Sequence, residues 1–239
     1  MQAADFFIEN TNFRAFGPSH LGSVFFFAFL TFALVWQGRR QSSEIQGRIA
    51  GGIAWALVGT LFAWTLLEWW RGVLDPKVDL PFDLCNVNCL LIPLVLVRRS
   101  AFWAQNLYFW VMAGTLQGVI TPAIWEDFPH YTFAKFFIVH CGLIVAVLYA
   151  ALVLDLRPTY RGLWQAVACI HGYAIFALCA NYALEANYGF LCRKPDTASL
   201  LDVLGPHPWY LLAMELLGIL VMHLMWLPWA FNSVTGDER

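Results

Sequence analysis

The stretch YTFAKFFIVHCGLIVAVLYAALVL, residues 131–154, decides the fold, for Lys135 is its single charged side chain. A helix needs about 20 apolar residues to cross a hydrocarbon core roughly 30 Å thick. In lipid every backbone N–H and C=O must be paired within the segment, so this run reads as a helix. Comparable apolar runs lie before it at about 19–36, 49–70, 80–97 and 101–123, and after it at about 163–184 and 209–231. The chain therefore reads as an all-α, polytopic membrane bundle of about seven transmembrane helices. Residues 1–239 form one integral membrane domain with no soluble insert. The first run is the shortest of the clean ones, and the third is interrupted by Asp83, Asn86, Asn88 and Pro93.

Composition points the same way. Of the 239 residues, 60% are hydrophobic and 13% charged, whereas a soluble domain carries about 25% charged residues. The start, MQAADFFIEN, lacks a positive n-region, so the first span is expected to act as its own insertion signal.

The arginines set the expected orientation. Arg39, Arg40, Arg48, Arg98, Arg99, Arg157 and Arg161 fall in the short connections after spans one, three and five, against only Glu44 and Asp155. Asp75, Asp79, Glu126, Asp127, Asp196 and Asp202 lie at the other end. Lys and Arg in short loops mark the cytoplasmic face, which puts the N-terminus outside and the C-terminus inside a cell membrane. Trp36, Trp69, Trp70, Trp125, Trp209 and Trp229 lie near span ends, where interfacial anchors belong.

Several function classes fall away. A net charge of −2 and no clustered basic groove argue against a nucleic-acid partner; the expected partners are membrane lipids. Of six cysteines, Cys85, Cys89, Cys141, Cys169 and Cys179 lie within spans and Cys192 in a loop, which is no disulfide framework. Cys85, Cys89, His140 and Cys141 are soft-metal ligand types, but their spacing matches no metal motif, so neither metal nor other cofactor is expected. A retinal protein needs a lysine within a span. Lys77, Lys135 and Lys194 lie in loops or at a helix edge.

Polar side chains inside spans are costly and mark function. Here they gather in the outer halves: His20, Glu68, Asp83, Asn86, Asn88, Gln117, His140, Asn181, Glu185 and Glu215. His171 and His223 are the exceptions. The pattern describes a polar cavity opening toward the outer leaflet. On the third span, at about 100° per residue, Cys85, Asn88, Cys89 and Ile92 share one face, while Asp83 and Asn86 share another. A nucleophile with an amide donor one turn below it suits acyl transfer, whose oxyanion needs a preorganised donor. Two readings stay open. Asn86 and Asn88 also suit interhelical hydrogen bonding as structural glue, and His140 suits either a base beside a thiol or a bond to a carbonyl of another helix.

Four stretches carry a family resemblance: FGPSHL (residues 16–21), LPFDLCNVN (80–88), FFIVHC (136–141) and NYGFLCRKPDTASLLDVLGPHPWY (187–210). On them the chain resembles the YwaF-type integral membrane proteins of bacteria, distant relatives of a vertebrate transmembrane acyltransferase of ether phospholipids. The resemblance implies a cysteine–histidine pair for acyl transfer, carried by Cys85 and His140. The family pattern has His where Asp83 stands, and often a second His where Cys141 stands. The expected activity is that of a membrane-embedded acyltransferase or lipid hydrolase. Cys85 is the nucleophile, His140 the base and Asn88 the oxyanion donor, with Glu68, Asp83, Asn187, Arg193 and Lys194 lining the mouth. The alternative is a small-solute binding or transport protein with the same polar cavity.

Overall fold

A computed structural model describes residues 6–7, 10–195 and 200–234. All regular structure among them is helical: α1 (Pro18–Gly38), α2 (Ser43–Arg71), α3 (Leu84–Leu96), α4 (Ala101–Trp110), α5 (Leu116–Ile120), α6 (Tyr131–Leu152), α7 (Tyr160–Leu184) and α8 (Trp209–Val234). A π turn over Val111–Thr115 joins α4 to α5, and short 3₁₀ turns lie at Tyr188–Phe190 and Leu200–Leu204.

Five of these helices, α1, α2, α6, α7 and α8, are long and apolar enough to cross a membrane. The third expected span is different. Its helix has 13 residues, about 20 Å at 1.5 Å per residue, which is less than a hydrocarbon core. Leu80–Phe82 is turn instead, because Pro81 cannot donate to a helix, and Asp83 takes an extended conformation at the N-cap. The fourth expected span is helical from Ala101 to Ile120 but broken by the π turn. At the second span the helix begins earlier than the apolar run, since Ser43–Arg48 continue it into the polar zone.

The deciding stretch forms the central helix. Within its most apolar window 61% of α6 is buried, against 11–22% for α1, α2, α7 and α8. Around it pack α1, α2, α3 and α5, and α4 also touches it. Helix α7 lies on α4, and α8 lies against α7 and the π turn. Aromatic polar tips pin this outer layer. Trp110 Nε1 donates to the Ala166 carbonyl (3.0 Å), Tyr108 Oη to the Met225 carbonyl (3.0 Å), and Trp229 Nε1 to Tyr108 Oη (2.9 Å). A buried indole or phenol needs such a partner, and here the partners stitch α4 to α7 and α8.

The apolar side chains that remain outside are a belt. Phe25, Phe29 and Phe32 on α1, Phe62 and Leu66 on α2, and Leu212, Leu216 and Leu220 on α8 are all more than half exposed. Such a surface has no place in water; in lipid it is solvated. Trp36, Trp69, Trp70, Trp125 and Trp209 stand exposed at the ends of that belt.

Candidate functional site

Leu84 and Cys85 sit in the first turn of α3, directly after the N-cap residue Asp83. Beside them runs the π-to-α5 segment, and two glycines one turn apart give it a smooth strip. A Cβ at Gly114 would meet Leu84 Cδ2 at 3.7 Å, and one at Gly118 would meet His140 Cδ2 at 3.2 Å and Nε2 at 3.5 Å. The start of α3 and the imidazole of α6 therefore rest against adjacent turns of one helix. The π turn widens the backbone at this point, a feature frequent at functional sites. No sequence pattern announced it.

His140 has a fixed tautomer. Its Nδ1 donates to the Phe136 carbonyl, one turn back on its own helix, at 2.9 Å. A carbonyl only accepts, so the proton is on Nδ1, and Nε2 carries the lone pair in the neutral ring. The ring lies flat on Phe136, with centroids 4.0 Å apart and planes at 19°. The expected carbonyl bond therefore exists, within the helix rather than across helices. Among the described residues no hydrogen bond joins Cys85 to His140.

Among the described residues, Asn88 of α3 is the least satisfied buried polar side chain, and Asn86 of the same helix is also incompletely bonded. Asn88 is fully buried, and neither its Oδ1 nor its Nδ2 has a partner among the described residues. Asn86, 4% exposed, leaves its Oδ1 unpaired. On α4, Asn106 donates Nδ2 to the Phe102 carbonyl (2.9 Å), but its Oδ1 is also unpaired. An orphaned buried polar group costs roughly 1–3 kcal/mol, so each calls for a water, a ligand or a reacting atom. The glue reading of Asn86 and Asn88 needs interhelical bonds, and for Asn88 there are none.

Four of the other expected lining residues are bonded to backbone at several points of the fold. His20 accepts from the Phe16 amide at Nδ1 (2.8 Å) and donates Nε2 to the Val119 carbonyl (2.8 Å), so both nitrogens are spent pinning α1 to α5. Asp83 Oδ1 accepts from the Gly189 amide (3.0 Å). Asn181 accepts from the Tyr188 amide (2.6 Å) and donates to its carbonyl (3.0 Å). Asn187 accepts from the amides of Cys192 and Arg193 (both 3.1 Å) and donates to the Arg193 carbonyl (2.9 Å). Asp83, Asn181 and Asn187 are clamps on the loop after α7, a role that position along a span does not reveal.

Charged groups are paired in turn. Buried Glu68 accepts from Tyr131 Oη (2.7 Å), which is also bonded to Arg71. Glu185 pairs with Lys77 (3.0 Å), whose ammonium holds the exposed carboxyl below its ordinary range. Glu215 meets His171 Nε2 at 3.1 Å. Because His171 Nδ1 donates to the Val167 carbonyl, that contact needs one proton shared between Nε2 and the carboxylate. Gln117 is half-buried on α5, Arg193 is exposed, and Lys194 reaches the Asp202 carbonyl (3.4 Å) and the face of Tyr210. Asp196 lies outside the described residues.

The two family departures also have places. Asp83 serves the loop, as above. Cys141 is buried in a cluster with Val119, Phe133 and Phe137, with Phe13, Val24 and Phe27 of the α1 side packed on it.

A protein of Treponema pallidum (strain Nichols), described as an uncharacterized protein, is 29% identical over 204 residues, covering 84% of this chain and 81% of that one. No solved structure matches. The model of one family matches residues 15–226, which takes in every element from α1 into the last turns of α8, so the chain belongs to the TMEM164 family.

Proposed function

We propose that the chain is a membrane-embedded acyltransferase or lipid hydrolase, with Cys85 as nucleophile, His140 as base and Asn88 as oxyanion donor. Cys85 Sγ gives its proton to His140 Nε2 and attacks a lipid ester carbonyl. The oxyanion is held by Asn88 Nδ2. Collapse breaks the ester C–O bond, and the leaving alkoxide takes the proton back from His140. A lysolipid hydroxyl or water then attacks the thioester with His140 again as base, releasing Cys85.

The observation that carries this reading is Asn88. A fully buried amide, unpaired at both ends and one turn from a cysteine on the same helix, is a donor waiting for charge. The tautomer of His140 supports it, since Nε2 is free to accept. Sγ and Nε2 must still close on one another. Apo catalytic bonds are often loose and tighten with substrate.

We take the seven helical segments as seven crossings in a cell membrane, N-terminus outside, with the short α3 completed by the Leu80–Asp83 turn. Within the TMEM164 family we align the chain with the YwaF-type members. The loop after α7 acts as a cap over the mouth. The rival reading, a solute-binding or transport cavity, is favoured by the shared proton of His171 and Glu215, because such pairs occur along intramembrane proton paths.

The deciding experiment is labelling in intact membranes. A thiol probe or an alkynyl acyl lipid should mark Cys85 before Cys169, and His140→Ala should suppress it. Gly118→Ala, which crowds the imidazole, should slow it, whereas Gly114→Ala should not. If Cys85 labels no faster than Cys169, or Cys85→Ala leaves lipid turnover unchanged, the acyl-transfer mechanism is wrong and the solute cavity takes its place.

A further inference from the structure

Two open concavities lie away from Cys85, at the arginine-bearing end of α1. One is a groove of about 520 Å³ whose walls include Ala28, Phe32, Val35 and Trp36, with Arg39 and Arg40 at its mouth. The other, about 320 Å³, shares Arg39 and Leu152 with the first and adds Arg157 and Trp229. Both fall in the size range of small-molecule sites.

The charge is confined to one end of the groove. From Ala28 to Gly38 the helix rises about 15 Å at 1.5 Å per residue, half of a hydrocarbon core and so one leaflet deep. Along that depth the wall is apolar, and Thr31, its hydroxyl-bearing member, spends that hydroxyl on the Phe27 carbonyl (2.7 Å). A transmembrane helix would need an apolar track about twice as long. Free phosphate would need no track at all. An acyl chain with an anionic head fits both parts.

The two arginines are held in place. Arg39 Nε donates to the Leu152 carbonyl (3.0 Å), which fixes the guanidinium plane and leaves its terminal nitrogens uncommitted among the described residues. Arg40 lies over the Trp36 ring, Cζ 3.4 Å from the centroid, which holds its guanidinium at the mouth of the groove. Arg157 is partly neutralised by Asp155 at 2.7 Å. A planar, pre-placed guanidinium pair is suited to phosphate oxygens.

We propose that this groove binds an anionic glycerophospholipid, with one acyl chain along α1 and the phosphate between Arg39 and Arg40. The site is separate from the Cys85 face and does not depend on the acyl-transfer reading. Native mass spectrometry of the full chain in detergent, with dioleoyl-phosphatidylglycerol against dioleoyl-phosphatidylcholine, tests it. The wild type should retain the anionic lipid preferentially, and Arg39→Gln with Arg40→Gln should weaken that retention on the order of tenfold. Arg48→Gln, whose arginine is exposed and already paired with Glu44, should change nothing. Should the double variant fail to fold, Ala28→Trp fills the groove without touching charge and should abolish retention. Equal retention of the two lipids, an equal loss in Arg48→Gln, undiminished retention in Ala28→Trp, or displacement of the lipid by millimolar inorganic phosphate overturns the proposal.

Discussion

At the arginine-bearing end of the bundle the connections are short, residues 39–42, 97–100 and 153–159. At the opposite end they are long, residues 72–83, 121–130 and 185–208. The short connections are held from the helices beside them. Gly38 lets α1 press on Tyr149, Arg39 caps the Leu152 carbonyl, Gln46 donates to the Gly38 carbonyl (3.1 Å) and Gln105 to that of Arg157 (2.8 Å). The connections after α2 and α7 instead depend on a few side chains, chiefly buried Asn181 and Tyr188 and half-buried Asn187 and Asp83, that take the place of a regular backbone ladder. At one end helix-borne side chains hold a few residues of chain; at the other a handful of side chains must clamp long loops. The clamped end should fail first when one residue is removed.

The largest effect is expected at Asn181. It is 3% exposed and satisfies both the amide and the carbonyl of Tyr188. Asn181→Ala removes two hydrogen bonds and strands two backbone groups, a loss of about 2–4 kcal/mol. Limited proteolysis should then cut near residues 190–195 while the helices stay intact. An uncut loop in this variant would show that Asp83 and Asn187 suffice, and would erase the contrast between the ends.

A smaller effect is expected at the other end. A Cβ at Gly38 would lie 2.9 Å from Tyr149 Cε2 and Oη and 3.1 Å from Val153 Cγ1. Gly38→Ala therefore overpacks a closed contact at about 1–3 kcal/mol, offset by a helix-propensity gain of up to about 1 kcal/mol. Thermal unfolding in detergent should show a modest net loss, restored by Tyr149→Leu, with no new protease site. If Gly38→Ala instead exposes the short connections to cleavage, that end also rests on single residues.

How much of this was legible follows the same divide. Apolar run length marked the long helices because a bilayer rewards nothing else over some 20 residues, and the membrane class followed from it. The third run misled at its start because Pro81 and Asp83 sit inside an apolar average that hides a turn. Polar residues within the apolar runs stand out in sequence as costly, yet sequence gives their depth and not their partner. His20, Asn181 and Asn187 are spent on backbone groups that only folding brings near. Asn88 was singled out on helical phase alone, and what makes it unusual, the absence of a partner, is a tertiary fact. The π turn and the arginine groove left no trace in periodicity.

The smallest expected effect is in the acid response of the clamped end, where two carboxylates act in opposite senses. Lys77 holds Glu185 below its ordinary value of 4.5. Its contribution is therefore complete above that value and is lost as pH falls through the lower folded one. Asp79, half-buried in the 72–83 connection, is raised above 3.8, chiefly by desolvation and against a lowering bond from the Asp75 amide. Its contribution is complete below 3.8 and is lost as pH rises through the higher folded value. The two oppose each other in the wild type, so hydrogen exchange over residues 186–195 should change less from pH 6 to 4 than in a variant lacking either carboxyl. Asp79→Asn should unmask the Glu185 term, with faster exchange in acid. Glu185→Gln should unmask the Asp79 term, with slower exchange in acid. Raised salt should flatten only the first response, because an exposed ion pair is screened and a desolvated carboxyl is not. If both variants drift the same way, the acid response belongs to neither group, and the loop is held by its asparagine clamps alone.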